Sequence, residues 1–393
     1  MRLAKLALIV PMLLSAVPAQ AKSVLDKTRI ATTARDAMMK TGARGLAIAV
    51  IDRGKVVSVQ SFGDRNAKGD PLTPQTIMYG ASLTKAVFAY TVLRLVDEGK
   101  VDLDRPIAAM LAKPLPDYGN LDAYGNWGDL AGDERWRAVT PRHVLNHSTG
   151  FANFSFLEPD GKLRFHFDPG SRYGYSGEGI MLLQFGLDKG LGLDTGREVQ
   201  RLVFDPLKMP NSSLVWRPDF AANYADGWTL GGSVEVHDER GRVRMAGSMD
   251  TTITDLANFV AALVSGKGLS KKARRELLRP GLPIRSAGQF PTLGGDVPAA
   301  QQHKGLAASV GLITFDGPQG RAFFRGGHND STGNTLVCLE KGQRCVLIMS
   351  NDVRAEAAFP MIVRDILGET GAPWRWIFGD MKFVSAPLQT KAL

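Results

Sequence analysis

The segment "MYGASLTKAVFAYTVLRLVDEG", residues 78–99, predicts a helix from about Ser82 to Glu98 that is apolar on almost every side. Between Ser82 and Leu93, its one charged side chain is Lys85. An ammonium group in an apolar interior costs several kcal/mol unless it is paired or loses its proton. Lys85 therefore requires a chemical explanation.

A serine three residues before the lysine supplies that explanation. The run from Ser82 to Lys85 has the form S-x-x-K, and residues three apart on a helix share one face. A lysine whose pKa falls on burial, or that holds a proton in a network, can activate a neighbouring hydroxyl as a nucleophile. Roughly one such match is expected by chance in a chain of this length. The alternative is that Ser82 only caps the helix while Lys85 extends its ammonium to solvent.

The first residues have the pattern of a secretory signal. Residues 1–21 contain two early basic residues, a short apolar stretch and the small-residue site Ala19-Gln20-Ala21. No later stretch approaches the roughly 20 apolar residues of a membrane helix. We therefore expect a signal peptide cleaved after Ala21, a periplasmic or secreted protein, and no stable membrane insertion.

The chain carries a formal net charge of +9. A basic balance can indicate nucleic-acid binding, but no basic run here is interleaved with aromatic residues. The run "SKKARREL", residues 270–277, has the composition of a solvated helix face. We therefore expect no nucleic-acid partner.

Strand-like runs lie at both ends of the chain, and a mostly helical stretch rich in Gly, Pro and aromatic residues lies between them. This order predicts an α+β fold: an antiparallel sheet flanked by helices and built from both termini, with a mostly helical inserted subdomain. Residues 22–393 would form one domain. Its sheet part would cover about 22–80 and 235–393, and its helical part about 81–234.

Several elements can be placed more closely. Residues 24–42 predict an amphipathic helix, residues 45–64 a β-hairpin, and residues from about 355 to 367 a closing helix. Strand-like runs are expected at residues 232–247 and again at 306–351.

Two cysteines, Cys338 and Cys345, lie at equal distances from the expected turn at Lys341-Gly342. A two-residue hairpin loop would place them opposite each other, within disulfide reach, and export permits oxidation. The alternative is a pair of buried free thiols.

Six segments occur in the order of the landmarks of the serine β-lactamase and penicillin-binding-protein superfamily. In these segments the chain resembles the class C β-lactamase-like branch, which includes D-aminopeptidases and carboxylesterases. The resemblance covers most of residues 45–352. The segments are "SLTK" (82–85), "PLTPQTIMYGA" (71–81), "TPRHVLNHSTGF" (140–151), "FDPGSRYGYSGEGIMLLQ" (167–184), "AGSMDTTITDLANFVAALVSG" (246–266) and "FFRGGHNDSTGN" (323–334).

The resemblance implies roles for three catalytic residues. Ser82 matches the acylated nucleophile, Lys85 its helix partner, and Tyr175 the tyrosine of the second motif, Y-x-N. A tyrosinate between a lysine and an arginine can act as general base, because nearby positive charge stabilises the phenolate.

The third motif, K-T-G, is matched by Arg325, Gly326 and Gly327, which implies a strand that binds substrate. The backbone N–H of His328 would then join that of Ser82 in an oxyanion hole. We expect Arg325 at a strand edge, facing the cleft and binding a substrate carboxylate. The alternative is a surface ion pair with an acid such as Asp330.

The chain departs from the family pattern at two positions: Arg325 stands in place of a lysine, and Gly177 stands where many relatives have an asparagine that contacts the substrate amide. The resemblance implies that position 177 is among the substrate-binding residues. His143 and His147 lie four residues apart but lack the glutamate of an H-E-x-x-H zinc site. The resemblance implies catalysis without metal or cofactor.

The expected function is an exported serine hydrolase that cleaves an amide or ester through an acyl-enzyme on Ser82. Its substrate would be a β-lactam, a D-amino-acid peptide or amide, or a small ester, with a carboxylate on the substrate. The alternative is a penicillin-recognising sensor that acylates without turnover, or an inactive relative that binds envelope polymer. The sequence does not predict an oligomeric state.

Overall fold

A computed structural model of the chain describes residues 27–385. The expected signal peptide, residues 1–21, lies outside the described residues. Within them, no helix is both long and apolar enough to cross a bilayer.

The centre of the described chain is an antiparallel sheet of eight strands in the spatial order β2-β1-β8-β7-β6-β5-β4-β3. The N-terminal and C-terminal parts of the sheet meet where β1 pairs with β8, with Ala47 opposite Met349. This arrangement confirms the predicted fold class. The strands are β1 (Gly45–Asp52), β2 (Lys55–Gly63), β3 (Leu282–Pro283), β4 (Ala307–Ala308), β5 (Ile313–Gly317), β6 (Gly320–His328), β7 (Gly333–Leu339) and β8 (Arg344–Ser350).

Helices cover the sheet on both faces and fill the inserted part. They are α1 (Lys27–Thr41), α2 (Thr84–Asp97), α3 (Pro141–Leu145), α4 (Gly177–Phe185), α5 (Thr195–Val199), α6 (Ile253–Ser265), α7 (Lys271–Leu278), α8 (Phe359–Leu367) and α9 (Trp374–Phe378). Three pairs of two-residue strands lie outside the main sheet: Met78–Tyr79 with Asp250–Thr251, Asn120–Leu121 with Gly125–Asn126, and Gly227–Trp228 with Val234–Glu235.

Strand β1 shows why both faces of the sheet are buried. Successive side chains of a strand point to opposite faces, so an unbroken apolar run serves two cores. One core lies between the sheet and helices α1 and α8, and the other between the sheet and the helical part with α2 and α6. The first core takes Leu46, Ile48 and Val50 of β1, and the second takes Ala47, Ala49 and Ile51.

The run at residues 232–247 does not join the main sheet as expected. Only Val234–Glu235 is a strand, and it pairs with Gly227–Trp228 in a separate ribbon. Val234 and Val236 are 40% and 76% exposed, so their alternation with polar residues does not mark a strand with a buried face. The strands of the main sheet resume at Leu282 rather than near residue 235.

The hairpin of β7 and β8 places Cys338 directly opposite Cys345, and a disulfide joins them with an S–S distance of 2.03 Å. The loop spans residues 340–343, twice the predicted two residues. The register is preserved because the additional loop residues are added equally on the two sides. The basic run on α7 buries Ala273 and Leu277 and leaves Lys271 and Lys272 exposed.

Candidate active site

Ser82 lies on a 3₁₀ turn, Ala81–Leu83, that precedes α2. Ala81 has φ 46°, in the left-handed region that costs a residue other than glycine roughly 1–3 kcal/mol. Backbone hydrogen bonds hold the turn: Gly80 N–H donates to Met249 O at 2.8 Å, and Leu83 N–H donates to Gly80 O at 3.0 Å. The serine is therefore displayed at a fixed position on a strained turn.

Two buried side chains converge on the Ser82 hydroxyl. Lys85 Nζ and Tyr175 Oη each donate to Ser82 Oγ at 2.8 Å. Lys85 is 2% exposed, and its Nζ also donates to the backbone oxygen of Ala246. Lys85 is therefore not extended to solvent, and Ser82 makes no side-chain cap of the helix. The structure brings together the three side chains that the motifs singled out.

The electrostatics of these groups are coupled. Burial lowers the pKa of Lys85, and the Arg325 guanidinium lowers it further, while Tyr175 opposes this. Burial by itself raises the pKa of Tyr175, but the positive charges of Lys85 and Arg325 and hydrogen bonds with Ser82 and Lys85 outweigh it and lower the pKa to about 8. The tyrosine can therefore lose its proton close to neutral pH.

The expectation that Arg325 faces the cleft is wrong. Arg325 is 3% exposed and does not line the cavity beside Ser82. Its guanidinium carbon lies 5.4 Å from the centre of the Tyr175 ring. It forms no ion pair with Asp330 within the described chain either. The side chain of Arg325 turns from β6 into the interior, where it contacts the ring of Tyr175.

Sequence reasoning missed the partner of Arg325, which is His147. Both terminal nitrogens of Arg325 donate to His147 Nε2 at 3.1 Å, and the imidazole lies against Tyr175 with ring centres 4.5 Å apart. Burial and the charge of Arg325 hold the pKa of His147 well below its usual value. The ring is therefore neutral and supports the arginine as an acceptor. The sequence placed both residues in motifs but gave no sign that they touch.

Gly326, Gly327 and His328, at the end of β6, line the cavity with Ser82. A Cβ on Gly327 would lie 2.6 Å from Gly80 O and 3.1 Å from Ser82 N. Only glycine allows the strand to approach the Ser82 amide this closely. The side chain of His328 pairs with Glu356, Nδ1 to Oε1 at 3.0 Å, which raises the pKa of His328. The role of its backbone N–H in an oxyanion hole stays a prediction.

Gly177 does not reach the cleft, so its predicted substrate contact is wrong. It is the first residue of α4, and its N–H donates to Asn153 Oδ1 at 2.9 Å. A Cβ on Gly177 would lie 2.5 Å from the Phe154 ring. Phe154 therefore occupies the space that a larger residue at position 177 would need. Asn153 and Phe154 line the cavity instead, and sequence reasoning missed both.

The cavity beside Ser82 has a volume of about 710 Å³. It is large enough for a small peptide or drug-sized ligand. Lys85 and Tyr175 line the cavity near Ser82. The rest of its wall includes both apolar and basic side chains. The apolar residues are Phe154, Phe290, Ile377, Phe378 and Met381, and the arginines are Arg240 and Arg244.

His143 and His147, the two histidines four residues apart, make different contacts. His143 belongs to the capping box of α3 with Thr140, while His147 contacts Arg325. Among residues 27–385, no group of three or more His, Cys, Asp or Glu side chains is placed to hold a metal ion.

Comparison with known proteins gives two curated relatives and a solved structure. A beta-lactamase-like 1 protein of Homo sapiens is 28% identical over 266 residues, 63% of this chain and 50% of that protein. Esterase EstB of Burkholderia gladioli is 33% identical over 148 residues, 37% of this chain and 32% of that protein. The chain thus spans half or less of these relatives.

The structure of D-alanine carboxypeptidase AmpC from Burkholderia cenocepacia superimposes with a TM-score of 0.66 at 17% identity, covering 87% of this chain and 98% of that one. This likeness shows the fold. The sequence profile of the Beta-lactamase family matches residues 30–366, most of the chain. These findings confirm the resemblance drawn from the motifs, and the chain belongs to the Beta-lactamase family.

Proposed function

We propose that the chain is a serine hydrolase that cleaves an ester or amide through an acyl-enzyme on Ser82. One observation carries the proposal: Ser82 Oγ lies 2.8 Å from both Lys85 Nζ and Tyr175 Oη, at the wall of a cavity. A nucleophile within hydrogen-bond reach of its base is the arrangement that covalent catalysis requires. The names of a carboxypeptidase and an esterase among the similar proteins support the same reaction class.

In the acylation step, Tyr175 as phenolate accepts the proton of Ser82 while Oγ bonds to the substrate carbonyl carbon. The carbonyl π electrons move to its oxygen, which the N–H groups of Ser82 and His328 would stabilise. When the oxyanion collapses, the bond to the leaving group breaks. That group takes a proton from Tyr175 and leaves as an alcohol or amine.

Deacylation repeats the sequence with water. Tyr175 accepts a proton from a water molecule that attacks the acyl carbon, and the ester bond to Ser82 Oγ breaks. The proton returns to Ser82, and the free acid leaves. Lys85, neutral or protonated, stabilises the negative charge on Tyr175 and the forming Oγ bond without leaving its site.

The proposed substrates are a β-lactam, a D-amino-acid peptide or amide, or a small ester. The proposed location is outside the cytoplasm, which follows from the expected signal peptide.

The test combines a fluorescent penicillin with a chromogenic ester and follows labelling and turnover together. We expect Ser82-dependent turnover of at least one substrate. Ser82→Ala should abolish it without loss of fold, because it removes a hydroxyl and opens no large cavity. Stable label without turnover would instead indicate a sensor.

Mass spectrometry locates the adduct. Trypsin separates Ser82, in the peptide of residues 69–85, from Ser248, the other cleft-lining serine among the described residues, in the peptide of residues 245–267. An adduct on Ser248, or full activity of Ser82→Ala, would overturn the proposal. Ser248→Ala is the matched control and should retain the label.

A further inference from the structure

The C-terminal segment of the described chain borders the cleft. After α8, the chain continues through α9 to residue 381, and Ile377, Phe378 and Met381 of this segment line the cavity beside Ser82. The match to the profile of the Beta-lactamase family ends at residue 366. This part of the cavity wall is therefore built from residues that lie outside the family match.

The loop between β3 and β4 completes this part of the wall. Its Phe290 lines the cavity and is 52% exposed, although its side chain is large and apolar. Two hydrogen bonds join the loop to α9: Gln289 N–H donates to Trp376 O at 2.7 Å, and Trp376 Nε1 donates to Ser286 Oγ at 3.2 Å. The loop and α9 thus form one surface. We call its four cavity-lining residues the apolar wall: Phe290, Ile377, Phe378 and Met381.

Contacts with the core fix the position of the apolar wall. Trp376, in the middle of α9, is 4% exposed, and its ring centre lies 5.7 Å from that of Tyr173 and 6.3 Å from that of Phe324. Phe324 belongs to β6, the strand whose end borders the cleft. Beyond α9, Val384 N–H donates to Ala357 O at 3.0 Å. The wall is therefore held against the same strand that lines the site.

Phe290 indicates which part of a substrate the apolar wall faces. Its ring packs edge to face against that of Tyr175, with ring centres 5.5 Å apart. In the proposed mechanism Tyr175 gives its proton to the leaving group, so the leaving group lies within hydrogen-bond reach of Tyr175 Oη. The oxyanion would lie instead at the backbone N–H groups of Ser82 and His328. A leaving group that reaches Tyr175 is therefore next to Phe290.

We propose that the apolar wall binds the leaving group, and that the substrate is an ester or amide whose alcohol or amine part is aliphatic or aromatic. The inference rests on the proposed hydrolase function and names the substrate class of that same site. Such a leaving group would remove from water the exposed face of Phe290 and the half-buried side chains of Ile377, Phe378 and Met381. This burial is favourable in proportion to the apolar area covered.

The test compares two acetate esters whose leaving groups have similar acidity and different apolar size. They are 4-methylphenyl acetate and 4-tert-butylphenyl acetate. The leaving-group ratio is kcat/KM for the tert-butyl compound divided by kcat/KM for the methyl compound. Covering one further carbon is worth about fourfold in this ratio. Phe290→Ala and Met381→Ala should each lower the ratio about fourfold or more, and Phe290→Leu should lower it less because it keeps an apolar side chain.

A second pair of esters separates the leaving group from the acyl group. 4-Nitrophenyl acetate and 4-nitrophenyl butanoate share a leaving group and differ in acyl length, and the ratio of their kcat/KM values is the acyl ratio. This ratio should stay close to that of the unmodified protein in Phe290→Ala and Met381→Ala. A drop in the acyl ratio in place of the leaving-group ratio would show that the wall binds the acyl part, and would overturn the proposal.

Met39→Ala is the matched control for Met381→Ala. Met39 is 76% exposed and does not line the cavity. We expect both ratios of this variant to equal those of the unmodified protein. An unchanged leaving-group ratio in either wall variant, or a similar drop in Met39→Ala, would overturn the assignment.

The two levels of inference fail separately. Ser82-dependent hydrolysis with an unchanged leaving-group ratio overturns only the role of the apolar wall. Turnover of the penicillin without acylation by any of the esters also overturns this inference and leaves the hydrolase function standing. Hydrolysis that survives Ser82→Ala, or no acylation by the esters or the penicillin, overturns the proposed function and with it this inference.

Discussion

Both terminal nitrogens of Arg325 lie 3.1 Å from Nε2 of His147, and both side chains contact the ring of Tyr175. A strand that otherwise borders the cleft thus directs Arg325 inward. The charge of this arginine acts on the tyrosine, whose pKa it helps to lower to about 8. The neutral imidazole keeps the guanidinium in place. In the proposed mechanism, this arrangement makes Arg325 a positioning residue for Tyr175.

The first prediction concerns the pH dependence of activity. In the proposed mechanism Tyr175 acts as the phenolate, so kcat/KM should rise with pH through about 8. Arg325→Met removes the positive charge at similar volume. Burial should then raise the pKa of Tyr175, so the rising limb of the pH profile of kcat/KM should move to higher pH. If the limb moves up by one pH unit, the phenolate fraction at pH 7 falls roughly tenfold. Arg325→Lys should move the limb less. An unchanged limb with a uniform loss at every pH would show that Arg325 only supports the fold.

The second prediction compares the two glycines at the end of β6. Gly327→Ala would push a methyl group against the backbone of residues 80–83, with Gly80 O at 2.6 Å. The Ser82 amide would shift, and loss of one oxyanion donor typically costs about 10²–10³ in kcat. Gly326→Ala meets only Asn334 O at 3.7 Å, an ordinary contact. We expect kcat of the Gly326 variant to fall much less, and equal losses in the two variants would contradict the close-approach argument.

The third prediction tests how Phe154 covers position 177. Gly177→Asn restores the residue of the family pattern, but its Cβ would lie 2.5 Å from the Phe154 ring. Overpacking of this kind costs typically 1–3 kcal/mol of unfolding free energy. Phe154→Ala provides the missing space, so the double variant should be more stable than the sum of the single effects predicts. Urea denaturation of all four proteins measures this coupling, and additive effects would show that the ring moves aside freely.

The fourth prediction concerns the disulfide. Cys338 and Cys345 are fully buried and lie opposite each other in the hairpin. Because the closed loop is short, the cross-link should contribute little loop entropy, and reduction should lower the unfolding free energy by about 2 kcal/mol. Alkylation of the unreduced, denatured protein measures the free thiols. Two alkylated cysteines in protein purified from an oxidising compartment would refute the pairing.

Local spacing was enough to predict part of this molecule. Ser82 and Lys85 are three residues apart on a helical segment, which places them on one face whatever the rest of the chain does. The opposition of Cys338 and Cys345 follows from hairpin symmetry alone. The strand-like runs at both ends of the chain likewise predicted the sheet. The run at residues 232–247 misled because Val234 and Val236 are exposed, and a pattern does not tell an exposed ribbon from a sheet strand.

The tertiary structure decided what the sequence could not. The direction of Arg325 depends on His147, which is 178 residues away and supplies the acceptor inside the protein. Phe154 lies between Gly177 and the cavity. This contact joins two different segments, so sequence spacing could not predict it. Local rules fix residues a few positions apart, whereas the partner of a charge is chosen by the packing of distant segments.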